Sequence, residues 1–147
     1  FSQASDKKRL YIINLVTGDV VFNTLVAHGR NSGLGYASNF SNNPSSFQSS
    51  PGFYITGNTY QGKNGYSLKL KGCEKGINDN ADRRAIVIHG ADYVSENFIR
   101  QNGYLGRSHG CPAVPADLNN EIINTIKNGS CLFIYAPVKN TLSNRLY

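Results

Sequence analysis

Residues 84–90 read RAIVIHG, a continuous apolar run that ends on His89 and Gly90. Short, uninterrupted and closed by a glycine, it has the form of a strand buried in the middle of a sheet. Its neighbours in sequence supply candidate partners. LYIINLVTGDVVFNTLVAHG reads as two β-rich runs about the turn Thr17-Gly18-Asp19. GFYITG (52–57) and YSLKLKG (66–72) read as short strands, and CLFIYAP (131–137) as another buried one. Two helices are expected. One is short, over ADYVSENFIRQNG, starting near Ser95 and stopped by Gly103. The other is amphipathic, over DLNNEIINTIKNG. Leu118, Ile122, Ile123 and Ile126 fall at helical spacing there, Asp117 is near the start and Asn128-Gly129 lies at the end. The expected class is a β-dominated α+β fold with one or two short helices.

A chain of 147 residues is read as one domain over 1–147, with its core at about 10–136 and a tail at 138–147. That size buries roughly 70% of the unfolded surface and needs no staples. Residues 31–51, NSGLGYASNFSNNPSSFQSSP, are rich in Ser and Asn without periodicity. Loops of that length inside a domain are often functional. No apolar run approaches the ~20 residues of a membrane span. The chain begins at Phe1 and holds no methionine, so it reads as processed or trimmed, and a missing leader does not argue for the cytoplasm. The net charge is +6, yet the basic residues are scattered, without a long run or an aromatic-interleaved stripe. Nucleic acid is therefore not the expected partner, whereas another anionic polymer such as cell-wall material fits the charge.

Three cysteines make an odd number. Cys73 and Cys131 lie in apolar or strand-like surroundings. In an exported protein they are candidates for a disulfide, with two separate buried thiols as the alternative. Cys111 differs: LGRSHGCPAV surrounds it with residues that make a poor core. A buried structural thiol, a zinc ligand alongside His89, His109 and Asp92, and a nucleophile are the three readings. His-x-Cys is not a usual zinc pair, and the nucleophile is favoured. An ordinary thiol of pKa ~8.5 is only a few per cent ionised at neutral pH, so it needs a base. His109 is two residues away, a spacing that often sends side chains apart. His89 ends the buried strand and can return through a helix and loop. The Gly110 and Cys111 amides are candidate oxyanion donors, and Pro112 fixes the chain just after the thiol.

The segments IHG (88–90) and SHGC (108–111) resemble the signature of the YkuD-type L,D-transpeptidases. AHGRNSG, SSPGFYITG, GYSLKLKGCEKGINDNADRRAIVIHGADYVS and GRSHGCPAV resemble more closely the murein L,D-transpeptidase catalytic domain branch, from about Leu10 to Ala136. The resemblance implies a YkuD-like β-sandwich with Cys111 as acylated nucleophile and His89 as general base. It implies that the Gly90 carbonyl orients the imidazole, that Ser108 and His109 shape the pocket, and that the Gly110 and Cys111 amides hold the oxyanion. SSPGFY (49–54) looks like the family's Thr-Pro-x-Gly element. Many members of the broader family carry Arg or Asn shortly after the cysteine, whereas this chain has Pro112-Ala113-Val114. The substrate carboxylate is then expected at Arg107 first and Arg30 second. His28, Asn31 and Ser32 are further candidates for the cleft, and Tyr60 and Tyr93 for pocket aromatics.

The implied activity is a cysteine acyltransferase on peptidoglycan tetrapeptide stems, which releases terminal D-Ala and forms 3→3 cross-links. Water as acceptor would make it an L,D-carboxypeptidase, and a free D-amino acid would make it an exchange enzyme. An idle wall-binding module and a zinc hydrolase are the rivals of other classes. No metal or organic cofactor is implied. The expected setting is a monomer exported to the periplasm or cell envelope, with carbapenems as acylating agents.

Overall fold

The RAIVIHG run becomes a strand only from Val87. Ala85 takes a left-handed φ of 54°. The Ala85 and Ile86 amides donate back to Asp82 and Ala81 carbonyls, so the first part of the run closes a turn. The structure, a computed structural model, describes residues 1–137; the tail anticipated over 138–147 lies outside the described residues. The elements in order are β1 (Leu10–Ile13), β2 (Val20–Thr24), β3 (Gly52–Gly62), β4 (Gly65–Gly72), β5 (Val87–Ala91), α1 (Glu96–Asn102), β6 (Ala113–Pro115), α2 (Asn119–Ile126) and β7 (Cys131–Ile134). The fold is α+β and β-dominated, as expected.

β1 and β2 form an antiparallel hairpin, and Gly18 in its turn holds φ 79°. The other five strands form one sheet in the order β6-β5-β4-β3-β7. All its pairings are antiparallel except β5–β6, which is parallel and sets His89 against Ala113. Leu10, Ile12 and Phe22 of the hairpin pack on a core of Tyr54, Leu68, Leu70, Ile88, Val114 and Ile134. α2 closes that core with Ile122 and Ile123, both fully buried, and each such side chain contributes about 1.5–3 kcal/mol. Its N-cap is Leu118 and not Asp117. α1 has the expected ends: Ser95 Oγ accepts from the Phe98 amide, and Gly103 takes the left-handed conformation.

Two expectations are corrected. β7 is an edge strand whose Cys131 and Phe133 face outward, so it is only half-buried. Cys73 and Cys131 are both free and exposed. β3 runs between them: Cys131 pairs with Ile55, and the Cys73 amide donates to Phe53 O. Two strand spacings put their backbones roughly 10 Å apart before any offset along the strands, beyond the ~7 Å that a disulfide spans.

His28 is fully buried. Its Nε2–H donates to Gly33 O at 3.0 Å, and its Nδ1 accepts from Arg9 Nη2 at 2.9 Å. Burial, with the Arg9 and Arg107 charges, pulls its pKa down to about 4 against the outward pull of the Gly33 bond. An unfolded chain takes up this proton near pH 6.5, whereas the folded one resists until about 4. Stability is therefore complete above pH 6.5 and declines as pH falls through that window, by about 3 kcal/mol at most. Urea unfolding from pH 7 to pH 4 is expected to show this decline. His28→Gln, which cannot take the proton, should show a slope flatter by that amount. Equal slopes for the two proteins would refute the assignment.

Candidate active site

The parallel pairing of β5 with β6 brings the two motifs together. His89 stands opposite Ala113, so the same register carried back two residues sets Cys111 beside Val87. The side chain bears this out: the Val87 amide donates to Cys111 Sγ at 3.5 Å, and Sγ reaches Ala85 O at 3.6 Å. One strand spacing across and two residues along leave roughly 8 Å between the His89 and Cys111 backbones, which an imidazole and a thiol can span from one face of the sheet. No hydrogen bond joins them in this arrangement, because the thiol rests on the Val87–Ala85 backbone.

His89 is buried, and its Nδ1 lies 3.0 Å from Gly90 O. A carbonyl can only accept, so Nδ1 carries the proton and Nε2 of the neutral ring is left as an acceptor. Gly90 has no room for a side chain, since an added Cβ would stand 2.9 Å from Asn119 Cβ at the start of α2. Cys111 is buried, and burial raises its thiol above the ordinary range; the Val87 amide and the charges of Arg84 and Lys63 oppose that rise.

Ser108 is a brace. Its Oγ donates to Cys111 O at 2.6 Å and accepts from the Gly110 amide at 3.1 Å, tying the SHGC turn to itself. The Gly110 amide is therefore engaged by Ser108, whereas the Cys111 amide has no acceptor among the described residues. Gly110 holds φ 119°, where an added Cβ would lie 2.8 Å from Gln48 O. Its freedom serves an approach to the 41–50 segment as much as an approach to substrate. His109 points outward, its ring 4.5 Å from that of Phe47, and the Arg30 guanidinium lies over the Phe47 ring at 5.7 Å from its centre.

The remaining candidates divide. Arg30 is exposed. Arg107 is half-buried and spends Nη1 on Arg30 O and Gly33 O. Asn31 donates from its side chain to Ser46 O. His28 and Ser32 are fully buried and face no cleft: the His28 ring nitrogens are both engaged, and Ser32 Oγ accepts from the Ser49 amide at 2.9 Å. Tyr93 packs on Gly106, and its hydroxyl pKa is pushed up to about 12, first by burial and then by the nearby Cys111 charge. Tyr60 is in register with Ser67, which is in register with His89, two strands away; its ring carries the Lys69 ammonium at 5.8 Å. For the zinc alternative, no cluster of three His, Cys, Asp or Glu side chains occurs among the described residues, and His109 turns away from Cys111 onto Phe47. A cavity of about 380 Å³ between β1 and β7, lined by Leu10, Tyr11, Pro112, Phe133 and Tyr135 among others, includes neither Cys111 nor His89.

Sequence reasoning passed over Arg84 and Ser49. Ser49 Oγ links the Gly29 amide, at 3.0 Å, to Gly110 O, at 3.4 Å. Arg84 appears in sequence as one of several scattered bases. Its signal was its position: a guanidinium joined to a buried apolar run must find acceptors nearby.

Comparison with curated proteins finds no significant match. A family model for the L,D-transpeptidase catalytic domain matches residues 1–135. With the SHGC turn and the IHG strand end brought into register on adjacent strands, the chain belongs to the L,D-transpeptidase catalytic domain family.

Proposed function

We propose that the protein is a cysteine acyltransferase of peptidoglycan tetrapeptide stems, working at the cell envelope, with Cys111 as nucleophile and His89 as general base. The observation that carries the reading is the His89 Nδ1–H···Gly90 O bond, which leaves Nε2 free to take a proton on the side of the sheet shared with Cys111. In the resting state the thiol is protonated, because burial holds its pKa high. Ionisation and attack are then coupled. As Sγ leaves the Val87–Ala85 backbone for the carbonyl between the L-centre of the third stem residue and the terminal D-Ala, its proton passes to His89 Nε2. The tetrahedral oxyanion faces the Cys111 amide, which has no acceptor among the described residues. Collapse expels D-Ala, protonated by the imidazolium, and leaves a Cys111 thioester. An acceptor amine resolves it into a 3→3 cross-link, with His89 again taking the proton.

The substrate carboxylate has two cations within the architecture, Arg30 and the unspent donors of Arg107. Arg30 is the more exposed, and among the described residues its guanidinium meets the Phe47 ring.

Incubation with disaccharide-tetrapeptide, followed by mass spectrometry, tests the reaction. A cross-linked dimer lacking one D-Ala is expected from the wild type. Cys111→Ala should lower its formation at least ~10³-fold, and His89→Ala about 10²–10⁴-fold. Tripeptide alone would assign water as acceptor, and substrate consumed equally by Cys111→Ala would remove the nucleophile assignment.

The coupled-ionisation step has its own signature. In a Cys73→Ser/Cys131→Ser background, alkylation of Cys111 by iodoacetamide is expected to rise with pH and to inflect above the range of an ordinary exposed thiol. An inflection below neutrality would mean a resting thiolate–imidazolium pair and would overturn the general-base step.

A further inference from the structure

Arg84 lies in the turn that leads into β5, and its side chain runs back toward the 41–50 segment. Nη1 donates to Ser41 O at 2.9 Å and to Ser50 Oγ at 2.6 Å. Nη2 donates to Ser46 Oγ at 3.1 Å and to Gln48 O at 2.6 Å. All four terminal donors of the fork are thus spent on one ten-residue loop. That segment is the one pressed on the nucleophile turn. Gln48 O lies 2.8 Å, and Arg84 Nη2 3.2 Å, from where a Gly110 Cβ would stand, and Ser49 Oγ reaches Gly110 O. The loop also carries two strained residues, Ser45 at φ 59° and Phe47 at φ 55°, and Phe47 is the ring that meets His109. Left-handed backbone at non-glycine residues persists only where surrounding contacts over-determine it. Here those contacts are the Arg84 fork, with the Asn31 side chain and the Phe47 O···Asn31 amide bond.

We propose that Arg84 is a positioning residue for Cys111: its guanidinium pins the 41–50 loop against the Gly110–Cys111 turn and fixes a positive charge beside the thiol. The inference rests on Cys111 being the nucleophile. Arg84 does not donate to the sulfur, since its Nη protons are all committed; its effect on the thiolate acts through space. The charged or titratable groups that face Cys111 are Arg84 and Lys63, with Tyr93 across the turn and His89 two residues along the neighbouring strand. Arg84 is the one among them locked into a planar four-bond network. A lysine preserves the charge but presents three donors from a single point and cannot span these acceptors.

Charge and fork are separable by substitution, measured in the Cys73→Ser/Cys131→Ser background so that Cys111 alone reports. In Arg84→Gln the inflection of the iodoacetamide alkylation profile is expected to move up by about half a unit to one unit. Alkylation at pH 7.5 should then fall about 3- to 10-fold in protein that remains folded by circular dichroism. In Arg84→Lys the inflection should stay within ~0.2 unit of the parent. Acylation by tetrapeptide should nonetheless fall at least 10-fold, because the loop loses its anchor. A folded Arg84→Gln with an unmoved inflection overturns the inference. If Arg84→Gln does not fold, Arg84→Lys decides: acylation at the parent rate overturns it, and slowed acylation at an unmoved inflection supports it. Failure of the underlying reading looks different. Cys111→Ala retaining full turnover would remove the nucleophile, whereas a Cys111-dependent enzyme indifferent to Arg84 would remove only this inference.

Discussion

The site depends on three residues of parallel pairing. β6 runs only from Ala113 to Pro115, and its partner β5 carries His89. A parallel pair cannot be closed by a tight turn; it needs a crossover, and here residues 92–112 with α1 make it. That crossover returns the chain with Cys111 two residues before the start of β6, and the register then decides what the thiol meets. A slip of one residue would turn Cys111 to the opposite face from His89. The short strand is held from both sides. Ala113 bridges Ala27 on one flank and pairs with His89 on the other, and it is fully buried between them.

Around this register the chain packs backbone against backbone. An added Cβ on Gly29 would fall 2.5 Å from Phe47 O and 3.0 Å from Gly110 Cα. Gly29, the 47–49 segment and Gly110 thus meet with no side chain between them. Ser108 locks the turn from within, and Ser49 ties it to Gly29 from outside. The apolar core beneath, from Leu68 and Ile88 to Ile122 and Ile123, supplies the burial energy. The hydrogen-bonded glycine contacts above it supply the geometry.

The sequence showed the elements well where pattern and punctuation coincided. Ser95 and Gly103 bounded α1, and Ile122 and Ile123 marked the inner face of α2. It showed the candidate pair because His89 and Cys111 stand out chemically from their surroundings. It did not show β6, since Ala-Val-Pro is too short to have a period. It did not show that Cys73 and Cys131 lie on opposite flanks of β3, because strand order is a tertiary property. His28 and Ser32 misled for a related reason. Polar residues at the edge of a polar loop look solvent-facing, yet here they fill the space under that loop, with His28 Nδ1 matched to the Arg9 guanidinium and His28 Nε2 and Ser32 Oγ to backbone groups. Arg84 went unnoticed because its acceptors lie more than thirty residues earlier in the chain.

Burial of Cys111 works against its ionisation, and the surrounding groups answer that opposition only in part. A free thiolate formed before attack would cost about 1.4 kcal/mol for each unit by which the thiol pKa exceeds the pH. Transfer of the proton during attack removes that separate step, provided that the base is unprotonated on the correct nitrogen at the outset. The Gly90 carbonyl meets this condition by fixing the tautomer, and it does so with a neutral dipole. A carboxylate in the same place would stabilise the imidazolium more strongly and would favour a resting ion pair. On the proposed mechanism, the neutral acceptor and the buried thiol are therefore consistent parts of one design: both keep the imidazole and the sulfur uncharged until substrate arrives.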